Sequence, residues 1–354
     1  MKKILTILIV ACLLCGCGKV TTEDVYKDFV KNIESSKSYK LSGVMEISND
    51  EETFTYSLES YYLKDDYYKV VLVNQTNNHE QIILKNKEDV YVITPALNKS
   101  FKFQSDWPNN SSQAYLLDNL KNDVKNDEKR EIKELDEGYI IKSVVKYPNN
   151  PDLSYQKIYL NSEKNVEKVE VFNTNDIVKI KVTFNDVDLK AKLKDNDFGL
   201  EEYLKDEVDN KCADDNCAED KTNEESKENS TGESEETSKI DNIIYPLYIP
   251  SNTYLKTSET VDTDTGNRVI LTFSGEKSFV LIEEKTFSNS EMEIVPVYGE
   301  PLMLSESIGA LSANSLSWNI GNVSYYLAST ELTPTEMQEI ANSLGNSTLA
   351  STTK

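Results

Sequence analysis

Between Tyr39 and Leu193 the chain repeats one device: a short stretch of alternating apolar and polar residues, then a turn. Alternation with period two is what a strand needs when one face is buried and the other is wet. The stretches are Tyr39–Ile47, Thr53–Leu63, Tyr67–Asn74, Glu80–Lys85, Asp89–Thr94 and Lys99–Gln104. After a helical interruption come Tyr139–Tyr147, Tyr155–Leu160, Val166–Phe172 and Ile177–Phe184, with Asp188–Leu193 as a candidate eleventh strand. Turn residues separate them at Asn49-Asp50, Lys64-Asp65-Asp66, Asn77-Asn78, Asn149-Asn150-Pro151 and Asn173 with Asn175. Ten or eleven strands at this spacing predict one large antiparallel meander. In Ile177–Val182 the apolar Val178, Ile180 and Val182 share a face and Lys179 and Lys181 the other. A sheet that holds a ligand and an ordinary half-buried sheet both show that pattern.

The stretch Asp89–Leu120 gives the meander its shape. On Asp89–Thr94, Val90 and Val92 point one way and Tyr91 and Ile93 the other, so both faces need cover. Pro95 and Asn98 punctuate, and Lys99–Gln104 then carries Phe101 and Phe103 on a single face. Trp107-Pro108 ends that strand. A helix over Ser112–Val124 follows, capped by Ser111 or Ser112, with Leu116, Leu117, Leu120 and Val124 at helical spacing. The expected unit is a curved sheet with aromatics on its concave side and an amphipathic helix laid over them. Tyr91, Phe101, Phe103, Trp107, Leu116 and Leu120 are candidates to line a ligand cavity there, although a Phe-x-Phe strand under an apolar helix is also how a plain core reads.

The segment VYVITP–LNKSFKFQSDWPNNSSQAYLL resembles the matching part of LolA-like lipoproteins, in particular the sporulation and germination lipoproteins of spore-forming Gram-positive bacteria. The wider family carries a Trp where Tyr91 stands, and its Pro matches Pro95. The resemblance covers roughly residues 20–204. It implies an incomplete antiparallel β-barrel with covering helices, a fold that holds lipid or acyl chains, and it does not imply an enzyme.

The first residues read as an address. Lys2 and Lys3 form a basic start, and Ile4–Leu14 is an apolar run too short for a span of about 20 residues. Leu14-Cys15-Gly16-Cys17 then reads as a lipobox, so residues 1–16 are a lipoprotein signal peptide and Cys17 is the acylated residue. Each buried acyl CH₂ contributes about 0.8 kcal/mol, so two or three chains anchor a protein stably where one does not. Thr21-Thr22-Glu23-Asp24 opens a helix whose stripe of Val25, Phe29 and Ile33 is expected to lie against the barrel domain, residues 17–204.

Residues 205–239 hold thirteen acidic and five basic side chains and almost nothing apolar, which predicts a flexible acidic linker. Within it, Cys212 and Cys217 admit a disulfide, two free thiols or, last, a metal site lacking a second Cys or His pair. Residues 240–345 then form a small domain. Strands are expected at Thr253–Val261, Arg268–Phe273, Ser278–Lys285, Glu293–Tyr298, Pro301–Leu304, Ser315–Ile320 and Val323–Ser329, with Gly321-Asn322 as a hairpin turn. A closing helix is capped by Thr333, with Pro334 at N1, Glu336 in the capping box, a stripe of Met337, Ile340, Ala341 and Leu344, and Gly345 as the stop. Residues 346–354 are a polar tail. This end of the chain resembles a small domain of uncharacterised role found on Gram-positive membrane proteins and anti-sigma-factor-like proteins.

A net charge of −23 argues against nucleic acid and against docking on anionic lipid, since either needs a basic face. His79 is the single histidine in the chain, which leaves little room for His-based catalysis or His-rich metal sites. No cofactor is expected. The reading is a non-enzymatic lipoprotein on the outer face of the plasma membrane or a spore membrane, binding an apolar ligand or a protein partner. Its resemblance points to sporulation or germination, and to a cell-wall amidase among possible partners. Rival readings are an envelope sensor that regulates an anti-sigma factor and a lipid or lipoprotein carrier.

Overall fold

The computed structural model describes residues 21–49, 52–87, 89–203, 240, 242–264, 266–288 and 291–349. The signal peptide, Cys17, the acidic segment 205–239 and its Cys212 and Cys217 lie outside the described residues. No helix among the described residues is long and apolar enough to cross a membrane.

Helix α1 (Thr22–Glu34) begins as its sequence dictates: the Thr21 hydroxyl accepts from the Asp24 N–H at 3.2 Å, and the Asp24 carboxylate accepts from the Thr21 N–H at 3.0 Å. That reciprocal pair satisfies two otherwise orphaned amides. Its buried stripe is Val25, Phe29, Val30 and Ile33. The meander follows as β1 (Ser38–Ser48), β2 (Thr53–Leu63), β3 (Tyr67–Asn74), β4 (Glu80–Asn86), β5 (Asp89–Thr94) and β6 (Lys99–Phe103). Helix α2 (Leu117–Asn126) and a short β7 (Glu131–Glu134) lead to β8 (Tyr139–Val144), β9 (Leu153–Leu160), β10 (Val166–Asn173) and β11 (Val178–Asp188).

Because β1 pairs with β11 as well as β2, the strands run in the order β6-β5-β4-β3-β2-β1-β11-β10-β9-β8-β7, all antiparallel. The sheet does not close on itself; it is the expected incomplete barrel. Register shifts along β9, β10, β11 and β1 supply curvature, since an extra residue on one strand bends it and increases twist. At the β1 bulge a side chain on Gly43 would place its Cβ 2.2 Å from the Thr183 carbonyl oxygen, so only glycine permits the approach.

The concave face, α1 and α2 share one core, with Phe29, Tyr39, Leu41, Val92, Phe103, Leu120 and Ile158 among its buried members. On the convex side Tyr67, Ile82, Leu84, Tyr91 and Ile93 pack against Phe198, in the segment that follows β11. Both faces of Asp89–Thr94 are covered, as its alternation requires.

Several expectations are corrected. The helix starts at Leu117 and not Ser112, because Ser112 is already committed: its N–H donates to the Lys146 carbonyl at 2.7 Å and its hydroxyl accepts from the Lys146 N–H at 2.8 Å. Asp188–Leu193 is not a separate strand; β11 runs to Asp188 and ends there. The short β7 was not expected, and its exposed, charged residues give no apolar alternation to read. Two further corrections concern the second unit.

That unit comprises β12 (Thr253–Thr263), β13 (Gly266–Gly275), β14 (Phe279–Lys285), β15 (Glu293–Val297), β16 (Gly299–Met303), β17 (Ile308–Ser312), β18 (Ser315–Ile320), β19 (Val323–Ala328) and α3 (Pro334–Leu349). Seven of the strands form an antiparallel sheet in the order β12-β13-β14-β19-β18-β17-β16, whose core also takes in Met337, Ile340, Ala341 and Leu344 of α3. The β18–β19 hairpin turns at Gly321, which has φ +56°, with Ile320 paired to Val323. The capping box is present: Thr333 and Glu336 exchange hydrogen bonds at 2.8 and 3.2 Å. Gly345 does not stop the helix, which continues to Leu349.

The strand expected at Glu293–Tyr298 belongs to the other sheet. As β15 it pairs in parallel with β6, Val295 opposite Phe101, and so extends the barrel to twelve strands. Ile308 and Ala310 of β17 also enter the barrel core, with Val295, Val297 and Met303 packed against it. The second unit therefore caps the open side of the half-barrel.

Candidate functional site

The seam between the two units is built from polar pairings around an apolar middle. Gln81 on β4 is buried beside Ile308 and bonds both of its backbone groups: its Oε1 accepts the Ile308 N–H at 2.6 Å, and its Nε2 donates to the Ile308 carbonyl at 3.4 Å. The Tyr56 hydroxyl donates to the Ser305 carbonyl. The amides of Asn110 and Asn149 both donate to the carboxylate of Glu300, and the Thr335 hydroxyl donates to the Asn149 carbonyl at 3.0 Å.

At this seam lies a cavity of about 660 Å³. Its barrel-side wall comes from Ile47 on β1, Ile83 on β4 and Ile180 on β11, with Trp107, Tyr115, Tyr147 and Leu153. The second unit supplies Leu302, Met303 and Ile308, the exposed Leu247, and Thr335, Gln338 and Asn342 from α3. Those α3 residues lie off the buried stripe. Gln338 donates to the Met303 carbonyl at 2.9 Å, and Asn342 accepts from the Ser305 N–H at 2.8 Å. Burial, reinforced by the Glu339 carboxylate, pushes the Tyr248 hydroxyl up to about 12, so it remains a neutral donor. A mixed wall of this size suits a small ligand with an apolar part and a polar part.

Of the residues the sequence nominates for a cavity, Trp107 lines this one. Tyr91 does not: it lies on the convex face with Tyr67 and Phe198. Phe101, Phe103, Leu116 and Leu120 are packed in the barrel core, the last three with no measurable exposure, so they fill the concavity that they were expected to line. The physical reason is that Leu116 and Leu120, at the start of α2 and on it, join Phe101 and Phe103 in a single packed core. The residues that do form the wall were missed because their partners are far away in sequence; Asn110 and Asn149 meet Glu300 across 190 and 151 positions. Asn149-Asn150-Pro151 read only as a turn.

No group of three or more metal-ligating side chains occurs among the described residues.

Known proteins place the chain. Residues 1–198 match the model of a family described as "Sporulation protein YdcC-like". The Sporulation protein YdcC of Bacillus subtilis (strain 168) is 33% identical over 341 residues, which cover 96% of this chain and 95% of that protein. Among solved structures, a LolA superfamily protein from Nitrosomonas europaea is 11% identical, with 52% of this chain and 99% of that chain covered and a TM-score of 0.31. A chain of the complex of the CwlD amidase with the GerS lipoprotein from Clostridioides difficile is 20% identical, with 49% and 96% covered and a TM-score of 0.30. These two superpositions are loose, whereas the sequence match runs nearly end to end. The chain belongs to the YdcC-like family of sporulation proteins.

Proposed function

We propose that this chain is a lipid-anchored protein of the envelope of spore-forming cells that holds an apolar ligand or a protein partner during cortex maturation and performs no reaction itself. Acyl chains on Cys17 would keep it on the outer face of the plasma membrane or a spore membrane, with enough buried methylene to make the attachment stable. The observation that carries the reading is the cavity of about 660 Å³ at the seam of the two units, in a chain whose family is one of sporulation proteins. A binding role is supported by how the carboxylates around it are used. Glu300 accepts two side-chain amides, and Asp152 accepts the Thr174 hydroxyl at 2.6 Å, so both act as fixed acceptors that shape a wall.

The test has two parts. Protein taken from membranes of sporulating cells, examined by native mass spectrometry, is expected to carry a co-purified lipid, and Ile180→Trp, which fills the cavity, is expected to lose it. Wild-type protein that is ligand-free in every preparation, with Ile180→Trp cells sporulating normally, would remove the ligand reading. Cys17→Ala is expected to abolish incorporation of labelled palmitate and to release the protein from the membrane fraction; label persisting in that variant would remove the anchor.

A further inference from the structure

We infer that β12 is an interaction edge, and that it pairs antiparallel with β12 of a second copy of this chain across a two-fold axis at Ser258. The surface is separate from the seam cavity, none of whose lining residues lies on β12.

A strand at the edge of a sheet offers unpaired N–H and C=O groups to any other strand, and folds protect such edges with short strands, charge or proline. The two sheets have four edges: β15 and β7 in one, β12 and β16 in the other. Three are protected. β7 is four residues long, with Glu131, Lys133 and Glu134 exposed; β15 and β16 are five residues long and carry Pro296 and Pro301. β12 is eleven residues long and has no proline. It is also exposed on both faces. Tyr254, Thr257, Glu259 and Val261 stand opposite Ser274, Thr272, Ile270 and Arg268 of β13 and so share one face, with Tyr254 62% and Val261 44% exposed. Leu255, Ser258 and Thr260 share the other, where Leu255 is exposed as well. Apolar side chains flanking an open edge are what an added strand covers.

The order of residues along β12 selects the occupant. A bulge at Lys256, between Leu255 and Thr257, puts an extra cation on this edge. A neutral strand leaves that charge unanswered, whereas a strand with an acid at that place accommodates it. With two copies antiparallel about Ser258, and Lys256 and Thr257 counted as one position, Tyr254 faces Val261, Leu255 faces Thr260 and Thr257 faces Glu259. Lys256, beside Thr257, then stands next to Glu259 of the second copy, and the axis repeats each pair. An aromatic against a β-branched residue and a cation against an acid are both favourable cross-strand neighbours. The result is a continuous sheet of fourteen strands, seven from each copy.

Sedimentation equilibrium of the purified full chain at about 0.15 M salt, where repulsion between two acidic copies is screened beyond about 8 Å, reads the dimer directly. A monomer–dimer equilibrium with a micromolar dissociation constant is expected. Lys256→Glu and Glu259→Lys, both at exposed side chains, each set like charges together twice across the axis and are expected to weaken the dimer about tenfold. The double variant Lys256→Glu/Glu259→Lys restores the pairing and is expected to return to within about twofold of the parent. A chain that stays monomeric up to about 1 mM overturns the inference. So does a dimer that either single variant leaves unchanged, or that the double variant fails to restore.

Discussion

Glu283 lies within β14, its surface fully covered, with Val269 and Tyr325 as cross-strand neighbours. One carboxylate oxygen accepts the Ile244 N–H at 3.2 Å and the other has no partner. Burial, only partly offset by that bond, pushes its carboxyl up to about 7 from 4.5. The folded state thus holds a proton that the unfolded chain releases. Any penalty from this group is absent below about pH 4.5, grows as pH rises through 7, and is complete above it. At about 1.4 kcal/mol for each pKa unit the full effect is on the order of 3 kcal/mol. Glu283→Gln is expected to raise stability at pH 8 by about 1–3 kcal/mol and to change it little at pH 4, as read from urea unfolding at the two values. Asp123 on α2, pushed up to about 6 by burial against bonds from Ser112 and Gln156, contributes a slope of the same sign over a lower range. Neither group is legible in the sequence: Glu283-Glu284 looks like a solvated pair at a strand end, and only the facing strands make Glu283 a buried acid.

At the scale of elements, what could be read was whatever local chemistry decides. Helix α3 is the clearest case. Thr333, Pro334 and Glu336 set its start before any tertiary contact is made, and the stripe from Met337 to Leu344 sets the face that it buries. Thr333→Ala is expected to destabilise the protein by about 1 kcal/mol in chemical unfolding. The same variant should weaken ligand binding at the seam, because α3 presents Thr335, Gln338 and Asn342 to the cavity. Strands with clean alternation were equally legible; Thr53–Leu63, Tyr67–Asn74 and Asp89–Thr94 have the bounds that their patterns predict. Legibility failed where a residue had a distant partner. Ser112 reads as a cap but is bonded to Lys146, and β17, with Ile308 and Gly309 buried among two cores, has no polar alternation to mark it as a strand.

For the whole molecule the consequence of β15 is cooperativity. The acidic segment suggests two domains on a tether, yet β15 extends the barrel sheet and Ile308 and Ala310 share the barrel core. The full chain is expected to unfold in a single calorimetric transition; two well-separated transitions would show that the seam contributes little. Gln81→Leu leaves the buried Ile308 N–H and carbonyl without their partner, so it is expected to cost about 2–3 kcal/mol and to broaden or split that transition.

By itself the sequence determined the β-rich meander, the helices at either end of the described chain and the family to which it belongs, because alternation, capping and turn chemistry act over a few residues. Tertiary structure alone decided that the aromatics of the concave face fill their own core, that the second unit lends a strand to the first, and that a cavity opens where the two meet. Those outcomes depend on which surfaces come within a few ångströms across a hundred or more positions. Asn110, Asn149 and Glu300 carry no mark of their meeting until both units are folded.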